Sequence, residues 1–166
     1  MPSPRLVVEV LGLPAPQGSK RHVGNGVMVE SGAAKLLPWR QDVKFAAVAA
    51  LTANPEWDPA TRAVAMHVVF TLPRPRSHYR TGKYAALLRD DAPALHATKP
   101  DLDKLLRSTG DALTTAGAYA DDSRLAQVYA RKCYVTNAPG ITGALDKPGA
   151  RIVLTEVGNR YRVARR

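Results

Sequence analysis

The sequence predicts a single α+β domain in which a small mixed β-sheet carries two main helices. The chain of 166 residues has the length of one domain. Its hydrophobic fraction of 45% is enough to fill a core, and stretches with β-strand character alternate with two amphipathic stretches and show no internal repeat. We therefore treat residues 1–166 as one domain.

The strand predictions follow from short apolar runs rich in β-branched residues, the first two of them ended by proline, and over 123–136 from the alternation of side-chain character. The region between the first strand and the first helix is rich in proline and glycine, and we expect a loop or irregular hairpin there with a turn at Asn25-Gly26. The predicted strands are 5–13, 62–72, 123–136 and 150–157.

Two helices are predicted from apolar residues at helical spacing. The first runs over 38–53, with Pro38 at its start. The second runs over 102–116, with Asp101 as its N-cap and Gly117 just beyond its end. The second helix has the clearer boundaries because both of its ends carry a stop or start signal.

Charge is the most informative part of the composition. The formal net charge is +10 and the sequence pI is about 10.1, which favours a polyanionic partner. We expect neither a secretory signal nor a membrane-spanning segment, since no apolar run is long enough. Cys133 is the only cysteine, so an intramolecular disulfide is excluded and a reducing, cytoplasmic setting is expected.

The acidic residues are concentrated in one region. Residues 101–122 contain five aspartates and two basic residues, a local charge of −3, while the rest of the chain carries +13. A protein that only binds nucleic acid needs the basic part alone. An enzyme that cuts a polyphosphate also needs clustered carboxylates to hold a divalent cation, so the pattern points towards catalysis.

Asp101 and Asp103 stand at the predicted start of the second helix. Because an N-cap residue has a non-helical backbone, the Asp101 side chain can turn towards Asp103, and the two carboxylates can share a cation. The alternative is simple helix capping, for which Pro-Asp-x-Asp before an apolar run is equally suitable. Arg107 follows Asp103 by one helical turn and places a cation beside the acids.

A second acidic pair, Asp121-Asp122, opens the following strand, and one of the two is expected to face inward. Its distance from Asp101 depends on the length of the helix. A helix over 102–116 would cover about 22 Å, more than the roughly 17 Å that residues 117–121 can span. A site that includes Asp122 therefore needs either a shorter helix or an Asp122 from another subunit.

Basic residues outside this region are candidates for phosphate contacts. Residues 73–99 form a predicted basic loop with tyrosines between the cations, which suits phosphate binding and base stacking, and residues 158–166 form a basic tail. A solvated, flexible insertion is the alternative for the loop. The candidate DNA-binding residues are Lys20, Arg21, Arg74, Arg76, Arg80, Lys83, Lys104 and Lys132.

The block KPDLDKLLRSTGDALTTAGAYADDSRLAQVYARKCY resembles the signature region of the RusA-type Holliday-junction resolvases in their phage-encoded form. There a basic-x-Asp-x-Asp motif opens a helix, and an acidic pair precedes a strand with a basic residue ten positions after the second acid, here Lys132. The segment PAPQGSKR also resembles the family's N-terminal pattern.

This resemblance implies a homodimeric, Mg²⁺-dependent endonuclease that cuts four-way DNA junctions by paired symmetric nicks, with Mn²⁺ expected to substitute. Asp101, Asp103 and Asp122 then match the three essential acids. Two departures are present: Arg107 stands where the best-known members have a catalytic lysine, and Lys104 stands where they have asparagine. Arg107 can stabilise phosphate charge but cannot exchange protons.

Two other functions remain open from the residues alone. One is a non-catalytic basic DNA-binding module in which the aspartates only cap and solvate. The other is a sugar-nucleotide transferase with an Asp-x-Asp metal site, which is disfavoured by the lack of a nucleotide-binding β-α-β unit in the predicted elements.

Overall fold

The structure is a computed structural model. It describes residues 4–18, 20–22, 24–25, 28–30, 32–58, 63–136 and 140–158. The predicted basic tail lies outside these ranges apart from Gly158. No helix in the described ranges is long and apolar enough to cross a lipid bilayer.

The centre of the fold is a four-stranded mixed sheet. Its strands lie in the order β1-β6-β4-β5, with β4 and β5 parallel and the other pairs antiparallel. A separate two-stranded hairpin, β2-β3, precedes the first helix, and Asn25 at its turn has a positive φ of 49°. The strands are β1 Arg5–Leu11, β2 Lys20–His22, β3 Met28–Glu30, β4 Ala63–Leu72, β5 Leu125–Tyr134 and β6 Gly149–Val157.

Two helices pack against each other beside this sheet: α1 Ala33–Ala53 and α2 Leu102–Ala116. Their packing includes a buried hydrogen bond, donated by the Trp39 indole to the Thr109 hydroxyl at 3.2 Å. One apolar core is shared by both helices and the sheet, and β1 shows the alternating burial expected of a strand with one covered face. The predicted α+β class with two main helices on a mixed sheet is confirmed.

The helix α2 connects two parallel neighbours, β4 and β5. It runs for its full predicted length and ends at Gly117, whose φ of 79° is readily adopted only by glycine. The next segment is held to the helix by the Tyr119 phenol, which donates to the Gly110 carbonyl at 3.1 Å. Burial raises the pKa of Tyr119 well above its usual range, so this donor stays protonated.

Two predictions about local structure are wrong. The helix α1 begins at Ala33, five residues before Pro38. Burying Leu36, which is 1% exposed, contributes about 1.5–3 kcal/mol and offsets most of the roughly 3 kcal/mol that an interior proline costs. Neither residue of Asp121-Asp122 faces inward: both are exposed and precede β5, in and beside a single 3₁₀ turn over Asp122–Arg124.

Candidate nuclease site at the N-terminus of α2

Asp101 presents its carboxylate to solvent and does not use it to cap the helix. Its backbone is extended (φ −69°, ψ 139°), and its side chain accepts no capping hydrogen bond. The carboxylate lies instead 3.1 Å from the Lys104 ammonium, with both side chains nearly half exposed. The simple capping alternative therefore does not describe Asp101.

Asp103 and Arg107 extend this exposed surface along the helix. Asp103 lies in the first helical turn, and Arg107 follows one turn later; both are exposed. In the described part of the chain neither side chain has an ion-pair or hydrogen-bond partner. One turn further, Asp111 lies 3.7 Å from Arg40 of α1, which leaves Asp111 engaged between the helices.

The segment that delivers Asp101 is tied to the edge of the sheet. The Lys132 ammonium donates hydrogen bonds to the carbonyls of Thr98 and Pro100, at 2.7 and 2.6 Å. The backbone amide of His96 donates to the Lys132 carbonyl at 3.2 Å, so the segment runs alongside β5. Lys132 thus uses two of its three N–H groups within the chain and keeps at most one for a phosphate.

Asp122 lies at the opposite end of α2. Its carboxylate accepts a hydrogen bond from the Thr114 hydroxyl in the last turns of the helix. Asp103 and Thr114 are eleven residues apart, which corresponds to about 16 Å along the axis. Two carboxylates that share one Mg²⁺ each contact it at about 2.0–2.1 Å, so Asp122 cannot join Asp101 and Asp103 within one chain.

The neighbouring acid, Asp121, has a local structural role. Its carboxylate accepts a hydrogen bond from the Ser123 amide at 2.9 Å, and the Ser123 hydroxyl, followed by this amide, lowers the pKa of Asp121. Among the described residues no cluster of three or more histidine, cysteine or acidic side chains could hold a metal ion. A three-aspartate centre is therefore not assembled by the single chain.

The basic loop is folded, and several of its cations are engaged within it. Arg74 donates to the Pro93 carbonyl at 2.7 Å and lies 4.9 Å from the centre of the Tyr134 ring. Arg80 pairs with Asp90 at 2.7 Å. These internal contacts were not predicted from the sequence, because they depend on how the loop folds back on itself.

Other cations of the loop differ in their availability. Arg89 makes two 2.9 Å hydrogen bonds to Asp91, and this pair lowers the pKa of Asp91. Arg76 is exposed and its guanidinium has no polar partner in the described ranges, while the Lys83 ammonium lies over the Tyr84 ring. Arg76 and Lys83 are thus the loop cations best placed to meet a polyanion. The side chains of Lys20 and Arg21 lie outside the described residues.

Paired exposed carboxylates at a helix N-terminus, on a strongly basic chain, are typical of enzymes that act on nucleic-acid phosphates. A comparison with known protein families agrees: residues 12–142 match the family model described as Endodeoxyribonuclease RusA. The chain belongs to the RusA family of junction-resolving endodeoxyribonucleases, and the resemblance seen in the sequence is confirmed. No individual curated protein matches the chain.

Proposed function

We propose that the protein resolves four-way DNA junctions by paired, symmetric, Mg²⁺-dependent nicks, acting as a homodimer in the cytoplasm. The observation that carries this proposal is the exposed pair Asp101 and Asp103 at the N-terminus of α2, in a chain of formal net charge +10. The membership of the RusA family supports it.

The donor chemistry of this pair fits Mg²⁺. The ion is usually held by one or two carboxylates and completes its octahedron with waters and substrate phosphate oxygens. Asp101 and Asp103 offer two such carboxylates, and the free N–H groups of the helix end favour a phosphate next to them. Bound there, Mg²⁺ supplies a water of lowered pKa and neutralises phosphate charge, and Mn²⁺ is expected to substitute.

Asp122 enters this site from the partner subunit. In a dimer with a two-fold axis, every contact between the two subunits occurs twice, with the roles of the subunits exchanged. If the two copies of α2 meet in opposite directions, Asp122 of each subunit approaches Asp101 and Asp103 of the other. Both composite sites then form at once, as two symmetric incisions require.

The remaining basic side chains serve either catalysis or DNA binding. Arg107 extends from the same helix as the carboxylates, one turn on, and stabilises charge on the phosphoryl oxygens in the transition state. Lys104 holds Asp101 in the free protein and turns to the phosphate when a cation takes its place. Arg76 and Lys83 contact the backbone of a junction arm, which fixes position without reading sequence.

The test is cleavage of a synthetic four-way junction with and without Mg²⁺, beside a linear duplex of the same sequence. We expect paired nicks in opposite strands of the junction, only with the metal, and none in the duplex. The matched control is Asp103→Asn, which should bind the junction and leave it intact. Tight binding by the wild-type protein without cleavage under any divalent cation would instead indicate a non-catalytic DNA-binding module.

A further inference from the structure

A cleft of about 610 Å³ opens directly beside Asp101. One wall is the loop at 13–18, and the opposite wall is formed by the end of β4 and the segment that leads into α2. Its volume falls within the roughly 300–1,000 Å³ typical of pockets for small molecules. Asp101 is one of the residues that line it, so an occupant of the cleft sits next to the proposed site of cleavage.

The walls of the cleft are fixed to the rest of the molecule. The Ser108 hydroxyl donates to the Ala15 carbonyl at 2.7 Å, and the Gln17 amide donates to the Lys104 carbonyl at 3.0 Å. Both bonds hold the loop along the first turns of α2. The facing wall is held by the two bonds that Lys132 donates to backbone carbonyls. The cleft is thus a formed feature that an occupant does not have to create.

Two side chains that line the cleft each carry a buried polar atom with no partner in the described ranges: Oε1 of Gln17 and Nδ1 of His96. A buried polar atom left unpaired costs about 1–3 kcal/mol, so a rotation of either side chain that brings this atom to a partner in the cleft is favoured. Burial, with the nearby charge of Lys132 as a smaller cause, lowers the pKa of His96. Its ring is therefore neutral near pH 7, with one nitrogen able to donate and the other to accept.

The rest of the lining combines apolar surface with positive charge. Leucine and proline side chains offer flat apolar walls, and three lysines supply cations. The apolar residues include Leu13, Pro14, Pro16, Leu72, Pro73 and Pro100, and the cations are Lys35, Lys99 and Lys104. Apolar surface, two neutral polar side chains and three cations together suit a nucleotide, whose base is flat, polar at its edge and joined to an anion.

We infer that this cleft binds one unpaired base of the junction, next to the phosphate that is cut, and that Gln17 and His96 contact the base's hydrogen-bonding edge. The inference rests on the proposed function and adds base recognition to it. Bases at the branch point of a junction can leave the stack at a smaller cost than bases within a duplex. A contact with the base edge gives the enzyme a preference for sequence that phosphate contacts alone do not provide.

The first measurement follows the base itself. Junctions carry the fluorescent base 2-aminopurine at each position flanking the cut, and are bound by wild-type protein without a divalent cation. We expect a several-fold rise in fluorescence at one position, as that base leaves the stack, and no rise in a linear duplex. Quenched fluorescence at every flanking position, with the junction fully bound, would overturn the inference.

The second measurement uses Gln17→Met, which keeps the size of the side chain and removes its polar end. Wild-type protein should cut junctions that differ only in the recognised base at rates that differ by about fivefold or more, and Gln17→Met should reduce this ratio towards one. The matched control is Gln127→Met, a substitution of an exposed residue of β5 that does not line the cleft, and it should keep the wild-type ratio. His96→Phe should reduce the ratio of cleavage rates towards one, as Gln17→Met does.

Thermal melting excludes a merely structural role for Gln17. Because the substitution removes an unpaired buried atom, the melting temperature of Gln17→Met should equal or exceed that of the wild type. The inference would be wrong if Gln17→Met kept the wild-type ratio of cleavage rates, or if it changed dimerisation and left the base preference intact. In either case, cleavage by the wild-type protein would still support the proposed function. If the wild-type protein showed no Mg²⁺-dependent cleavage at all, the proposed function itself would be wrong.

Discussion

The hydroxyl of Thr114 donates a hydrogen bond to the carboxylate of Asp122. This contact holds Asp122 at the C-terminal end of α2, about 16 Å along the helix from Asp103. Of the two arrangements that the sequence leaves open, the structure excludes the shorter helix. A three-aspartate centre therefore depends on a second subunit.

We expect Asp101→Asn, Asp103→Asn and Asp122→Asn each to abolish cleavage and to keep or strengthen junction binding. Each substitution deletes a proposed metal ligand and also removes a negative charge near DNA. Gel-shift titration beside a cleavage time course measures both effects. Metal-dependent cleavage at the wild-type rate by one of these variants would remove that residue from the site.

Two other aspartates serve as controls for this series. Asp121 is engaged by Ser123, and Asp111 lies against Arg40. Asp121→Asn and Asp111→Asn should therefore cut at close to the wild-type rate, with small losses of stability. If they were as inactive as Asp103→Asn, the charge of the region as a whole, and not a specific ligand set, would be the important property.

Arg107→Ala should slow single-turnover cleavage by about a hundredfold, equivalent to about 3 kcal/mol of transition-state stabilisation. Junction affinity should change little, because the side chain acts on charge that develops during the reaction. Arg107→Lys should recover much of the rate, since a cation is restored at the same place. A variant that lost affinity for the junction and kept its cleavage rate at saturating protein would show that Arg107 contributes to DNA binding and not to the chemical step.

The loop cations should separate into two groups. Neutralising Arg76 and Lys83 together should lower the slope of log affinity against log salt by up to about 2, with the melting temperature unchanged. Arg74→Ala should instead lower the melting temperature, because it removes the hydrogen bond to Pro93 and the contact with Tyr134. An unchanged salt slope in the double variant would show that the loop does not contact phosphates.

Lys132→Met should destabilise the fold by about 1–3 kcal/mol, since the carbonyls of Thr98 and Pro100 lose a charged donor. Cleavage should fall because the segment before Asp101 is no longer held. The salt slope of DNA binding should stay constant. A slope lowered by about 0.9, with unchanged stability, would show that Lys132 grips a phosphate as the sequence alone predicts.

The regular elements were predictable because local signals and tertiary packing agree there. The helix α2 has a clear start at Asp101 and a clear stop at Gly117, and its observed bounds are the predicted ones. The helix α1 begins earlier than predicted, and the burial of Leu36 offsets most of the cost of placing Pro38 inside the helix. Local rules fail at that point since the deciding energy comes from the core.

The candidate site was predictable in its residue types and only partly in its arrangement. An Asp-x-Asp pair at a helix start is visible in the sequence, whereas the hydrogen bonds of Lys132 join residues more than thirty positions apart and need the fold. The pairing of Arg80 with Asp90 likewise depends on the path of the loop. Gln17 lies within the segment PAPQGSKR, but nothing in the sequence singles out Gln17 or His96, because the buried, unpaired atom of each side chain is a property of the fold.

The proposed composite site requires a homodimer. We expect light scattering to give twice the chain mass at micromolar protein. A fully active monomer under the same conditions would contradict this part of the account.

The most direct test of the central claim is complementation between two inactive variants, Asp103→Asn and Asp122→Asn, mixed under conditions where labelled subunits are shown to exchange. In a mixed dimer, one site receives both substitutions, and the other combines intact Asp103 from one subunit with intact Asp122 from its partner. We predict that the mixture nicks one strand of a four-way junction in the presence of Mg²⁺, although neither variant does so alone. A mixture that exchanges subunits freely and remains as inactive as its components would contradict a site shared across the dimer.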